Sequence, residues 1–63
     1  MNDLDNMTPA DIKDLRRLME CNQESFGMLF EVSQKAVSKW ESGKGKPSKL
    51  AMRELKKMYK RFI

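Results

Sequence analysis

The chain contains no histidine and one cysteine, Cys21, and its acidic residues are scattered instead of grouped at metal-ligand spacing. Neither a zinc site nor a disulfide framework can be built from such a set, and no cofactor is expected. No apolar run approaches the ~18 residues needed to span a bilayer, and the opening residues, MNDLDNM, are acidic where a signal peptide is basic. A cytoplasmic chain is the expectation, and a reduced, unpaired Cys21 fits that compartment. Strand patterns, internal repeats and low-complexity segments are also missing. A domain of 63 residues buries only about 60% of the surface its unfolded chain exposes, which leaves a thin core and no room for a large enzyme cleft. Without histidine, metal ligands or an activated nucleophile, catalysis is not expected.

What the chain does have is charge, unevenly divided. Residues 1–31 carry 7 acidic side chains against 3 basic ones, a net of −4, whereas residues 32–63 carry 10 Lys or Arg against Glu41 and Glu54 alone, a net of +8. Such a dipolar chain suits a partner with a dense line of negative charge, either nucleic acid or an anionic membrane surface. Composition alone would also suit a merely well-solvated surface.

Local signals divide the chain into helices. Residues 1–7 have no pattern and read as a flexible N-terminal arm, leaving 8–63 as the folded domain. Thr8-Pro9-Ala10-Asp11 is a helix start, with Thr8 as N-cap, Pro9 in the first helical position and Asp11 three residues after the cap. This first helix should run to about Glu20 and bury Ile12, Leu15, Leu18 and Met19. Asn22 is the next cap, followed by Phe26, Met28, Leu29 and Phe30 in a helix of about two turns. Gly27 costs that helix roughly 1 kcal/mol relative to Ala, so a close approach by another helix is expected there. Glu31-Val32-Ser33 forms a break, Ser33 caps a third helix, and Gly43 ends it in the left-handed conformation. Lys44-Gly45-Lys46-Pro47 is a basic loop, and Ser48 caps a fourth helix over residues 49 to about 61. Ala51, Leu55, Met58 and Phe62 recur along it at helical spacing, with Leu50, Met52 and Tyr59 widening the apolar stripe. The fold class is all-α, a compact bundle of four to five short helices.

Residues 23–43 organise the rest. At about 100° per residue, Gln34, Lys35, Ser38 and Lys39 fall within an arc of about 140° on the third helix, and Ala36, Val37 and Trp40 cluster on the other side. One face packs, and the other carries amide, hydroxyl and ammonium groups. Two short helices joined by a three-residue break describe a helix-turn-helix, whose second helix fits the major groove of DNA.

Residues 11–59 resemble the Cro-like, or XRE, family of helix-turn-helix transcriptional regulators. The resemblance is carried by Gln23, by the small Gly27 four positions later, by Val32 plugging the turn, and by Trp40-Glu41-Ser42-Gly43 with Lys44, Lys46 and Pro47 behind it. The run PADIKDLRR is similar to antitoxin-type regulators and to small phage or mobile-element repressors. Two residues depart from the family pattern: Glu31 stands where the turn usually has Gly, and Gly27 where Ala is usual.

The resemblance implies a lambda-repressor-like fold that binds double-stranded DNA. Gln34, Lys35, Ser38 and Lys39 would face base edges, with Gln34 suited to adenine and either lysine to guanine. Gln23, Ser33, Lys44, Lys46 and Lys49 would hold phosphates. Arg16 and Glu41 match a structural ion pair. A repressor follows as the expected function, one that acts on a palindromic operator, its own promoter's among the candidates, as a homodimer through Met58, Tyr59, Phe62 and Ile63. The alternatives are an antitoxin-like subunit with a protein partner and a protein-interaction adaptor that does not bind DNA. An adaptor should carry apolar residues where Gln34, Lys35, Ser38 and Lys39 stand.

Overall fold

The computed structural model describes residues 7–62. They form four helices, α1 (Pro9–Leu18), α2 (Gln23–Leu29), α3 (Gln34–Ser42) and α4 (Lys49–Phe62), with no strand among them. Each helix starts on a side chain that accepts an otherwise unpaired backbone N–H. Thr8 Oγ1 accepts from the Asp11 amide and Asp11 Oδ2 accepts from the Thr8 amide, both at 3.1 Å, which closes a reciprocal capping box. Asn22 Oδ1, Ser33 Oγ and Ser48 Oγ accept from the amides of Ser25, Ala36 and Ala51 in the same way. Each such cap contributes about 1 kcal/mol.

The first three helices share one way of stopping. After α1, the Glu20 and Cys21 amides bond back to the Arg17 and Arg16 carbonyls; after α2, those of Glu31 and Val32 bond back to Met28 and Gly27; after α3, those of Gly43 and Lys44 bond to Trp40 and Lys39. This nested pair of bonds is the Schellman motif, and it requires a left-handed residue at its hinge. Gly43 supplies it at φ 82° without strain, but Glu20 and Glu31 hold φ 55° and 58°. The turn therefore keeps its geometry although Glu31 replaces glycine. α1 ends at Leu18, two residues earlier than its apolar spacing suggests, because Glu20 takes the same conformation.

Gly27 makes its close approach to the turn and not to another helix. A Cβ there would sit 2.7 Å from the Val32 carbonyl oxygen and 3.2 Å from that of Ser33. The missing side chain is what allows the chain to double back from α2 into α3.

The core consists of Met7, Ile12, Leu15, Phe26, Val37, Trp40, Ala51 and Leu55, with Met19, Cys21, Phe30, Val32, Ala36, Met52, Met58 and Tyr59 half-buried around it. Phe26 and Phe30 pack with ring centroids 4.8 Å apart. Three expectations are corrected. Met7, assigned to the arm, is buried in the core, where it precedes the cap and joins Ile12 on the first turn in the manner of a hydrophobic staple. Residues 1–6, the remainder of the expected arm, lie outside the described residues. Leu18 is exposed because the buried stripe of α1 runs Ile12, Leu15, Met19 and leaves it to one side. Leu50, expected to widen the apolar stripe of α4, is exposed because it lies to one side of the buried Ala51 and Leu55; Met28, Leu29 and Phe62 are exposed as well.

A left-handed residue with a Cβ costs roughly 1–2 kcal/mol, partly balanced by the greater unfolded-state freedom of glycine. Glu31→Gly is therefore expected to raise the unfolding free energy by about 0.5–1 kcal/mol in urea titration. A loss of stability would mean that the Glu31 side chain makes a compensating contact.

Candidate nucleic-acid interface

α3 is held from behind by Val37 and Trp40, both buried, and Ala36, half-buried. This fixes which way the helix faces. Gln34, Lys35, Ser38 and Lys39 are all exposed, and their side chains make no hydrogen bond or ion pair among the described residues. They share one outward face of the helix. Ser33 lies at its N-terminus, exposed, with its oxygen already accepting from the Ala36 amide and its hydroxyl proton left to donate.

The basic loop is tied to the other end of α3. The Lys44 and Gly45 amides both donate to the Lys39 carbonyl, at 3.0 and 3.3 Å, and a Cβ at Gly45 would touch the Lys39 side chain at 3.4 Å. Lys44 and Lys46 are exposed on this loop, and Lys49 is exposed on the first turn of α4. The amide and lysines of α3 thus sit between a hydroxyl at one end and ammonium groups at the other.

One polar cluster sets the pose of α3 relative to the rest. Arg16 on α1 donates from Nε to Glu41 Oε2 at 2.6 Å and from Nη2 to Glu41 Oε1 at 3.2 Å, a two-pronged contact across 25 residues of sequence. Gln23, at the start of α2, donates from Nε2 to the same Oε1 at 3.2 Å, and Arg16 Nη1 donates to the Cys21 carbonyl at 3.1 Å. The Glu41 side chain is only 5% exposed and that of Arg16 17%, so these bonds are largely shielded from water. Burial pushes the Glu41 carboxyl up, but the hydrogen bonds from Arg16 and Gln23, helped by the charges of Arg16 and Lys13, hold it below the ordinary glutamate range. The bond to Glu41 outweighs burial for Arg16 and raises its pKa. Burial raises the Cys21 thiol, against a smaller opposing effect of Arg16.

Gln23 is thereby an internal brace, a role its sequence position did not reveal. The Cys21 carbonyl is another unforeseen member, brought to Arg16 by the left-handed turn at Glu20. The described residues expected at a dimer contact, Met58, Tyr59 and Phe62, all lie on the last turns of α4. Met58 lines a groove with Leu29, Phe30, Val32 and Leu50, while Tyr59 faces Asp14, Arg17 and Leu18. Phe62 is 44% exposed at the end of α4, and Ile63 lies outside the described residues.

Two short helices joined by a tight turn, the second with a packed back and a polar front, define a helix-turn-helix domain. A family model described as helix-turn-helix matches residues 12–60, and the chain belongs to that family, in its Cro-like or XRE branch, whose members are DNA-binding regulators. Comparison with curated proteins and with solved structures finds no match. No helix among the described residues is long and apolar enough to cross a membrane.

Glu41→Gln would leave the largely shielded Arg16 guanidinium without its counter-charge and is expected to cost about 2–3 kcal/mol of stability at neutral pH. The ordinary glutamate pKa is 4.5 and the folded value lies below it, so this carboxylate contributes fully above pH 4.5 and progressively less as the pH falls through the folded value. Denaturation of both proteins across pH 7 to 3 should show their difference narrowing below pH 4.5. A constant difference would mean that the negative charge on Glu41 is not what holds the cluster.

Proposed function

We propose that the chain is a sequence-specific regulator that inserts α3 into the major groove of double-stranded DNA and acts as a repressor by occluding a promoter, its own among the candidates. The observation that carries this reading is the exposed quartet Gln34, Lys35, Ser38 and Lys39 on a helix whose other side is buried. An α-helix fits the major groove, where the Gln34 amide can pair bidentately with adenine and Lys35 or Lys39 can donate to guanine. Ser33, Gln23, Lys44, Lys46 and Lys49 flank these base readers and neutralise or hydrogen-bond phosphates, fixing the register of the helix. The working place of such a regulator is the cytoplasm, on the nucleoid when bound.

A homodimer on a palindromic operator completes the reading, because a module this small gains affinity by engaging two half-sites. Exposed Phe62 and half-buried Met58 and Tyr59 support the far end of α4 as the contact. One observation favours a second reading, in which the chain also binds a protein as an antitoxin-like subunit would. Leu29 and Leu50, 58% and 68% exposed, line a groove together with Phe30, Val32 and Met58.

Selection on random duplexes, followed by titration of the chosen site across salt, tests the assignment. Lys44→Ala is expected to weaken binding to every duplex and to reduce the salt slope by about 1. Gln34→Ala should instead relax preference at one base position, costing about 1–3 kcal/mol on the selected site and little on random DNA. Equal losses on both kinds of duplex for the two variants would show that Gln34 does not read a base.

A further inference from the structure

The proposed DNA contacts use only the first member, Lys49, of a longer charged feature. α4 carries Lys49, Arg53, Lys57, Lys60 and Arg61 along its exposed side, with Glu54 as its one acid. At about 100° per residue, Lys49, Arg53, Lys57 and Lys60 fall within an arc of about 80° centred opposite the buried Ala51 and Leu55. At 1.5 Å per residue the stripe is roughly 16 Å long.

A solvated helix face is ordinarily laced with acid–base pairs three or four residues apart. Here Lys49 and Arg53, Arg53 and Lys57, and Lys57 and Arg61 are like-charged neighbours at that spacing, an arrangement that weakens a helix. Lys57 meets Glu54 at 3.8 Å, whereas Lys49, Arg53, Lys60 and Arg61 have no ion pair among the described residues. The helix dipole favours Lys60 and Arg61 in the last turn but opposes Lys49 in the first, where no acid sits. An external line of negative charge would relieve both the crowding and the misplaced cation.

Continuity selects the partner. The loop lysines are tied to the end of α3 through the Lys39 carbonyl, and the loop runs through Lys46 and Pro47 straight into Lys49. The stripe begins where the proposed phosphate contacts of the loop stop. Duplex DNA offers a charge every ~1.7 Å along its axis, which matches a continuous row of cations better than the irregular acids of a protein surface do.

We propose that the exposed stripe Arg53, Lys57 and Lys60 continues the phosphate contact of Lys44, Lys46 and Lys49 along the same duplex, gripping DNA beyond the base pairs that α3 reads. The inference rests on the DNA-binding reading above and adds a sequence-independent clamp to it. The footprint is then longer than the recognised sequence, and affinity depends on flanking DNA of any sequence.

The test compares the wild-type chain with the triple variant Arg53→Gln, Lys57→Gln, Lys60→Gln. Each is titrated across salt on a duplex trimmed to the selected site and on one extended by random flanks, with circular dichroism to establish that the variant is folded. The wild type should have the steeper salt dependence on the extended duplex. The variant should lose that excess there, by about 2.7 in slope for three phosphates, while keeping the wild-type base preferences. Raising salt from 50 to 200 mM should then cost the wild type about 40-fold more affinity than the variant. Identical slopes for the two proteins on the extended duplex would overturn the clamp while leaving α3 as the reader. Two duplexes bound per protomer by sedimentation would overturn the same-duplex assignment in favour of bridging. If the wild type bound no duplex at low salt, the DNA-binding reading itself would fall, and the clamp with it.

Discussion

The arrangement of this domain depends on the contact between Arg16 and Glu41. Three helices meet there. α1 supplies the guanidinium, α3 the carboxylate, and α2 the Gln23 amide that shares an oxygen of Glu41 with Arg16. The apolar core sets how deeply α3 sits, but hydrophobic contact is non-directional and leaves a short helix free to roll or tilt. A two-pronged arginine–carboxylate contact is directional and removes that freedom. If the outward face of α3 is to align with base edges, as proposed, the geometry of this part-buried pair is the geometry of the reading surface.

The two glutamates in left-handed conformation belong to the same economy. At Glu20 the strained turn aims the Cys21 carbonyl at Arg16, filling a donor that Glu41 leaves open. At Glu31 it folds the backbone onto Gly27 tightly enough that no side chain fits there. Strain of this kind persists only where the surroundings over-determine the conformation. The nested hydrogen bonds at each helix end, with the caps that follow, do so here. The result is a helix-turn-helix held by local polar chemistry around a very small core.

Much of the fold was legible because it is written in local chemistry. Thr8 with Asp11, Asn22, Ser33, Ser48 and Gly43 each mark a helix boundary by what their own side chains or backbones can do. Glu20 carried no such mark, since glycine advertises a left-handed turn and glutamate does not. Met7 was hidden by the acidic residues before it, although an apolar residue just ahead of a cap is itself a staple signal. Exposure of Leu18, Leu29 and Leu50 depends on which helix lies opposite, and periodicity cannot supply that. For the candidate site, the outward face of α3 follows from spacing alone. The pairing of Arg16 with Glu41, 25 residues away, came only from family resemblance, and the brace from Gln23 came only from the structure.

The central claim is that the polar face of α3, posed by the Arg16–Glu41 contact, is the surface that meets DNA. Amide chemical shifts of the isotope-labelled chain, followed while a selected duplex is added, test it most directly. The account predicts the largest changes at Ser33, Gln34, Lys35, Ser38, Lys39 and Lys44, with Leu29 and Leu50 little affected. Changes confined to the groove around Leu29, Leu50 and Met58, with α3 unmoved, would contradict it.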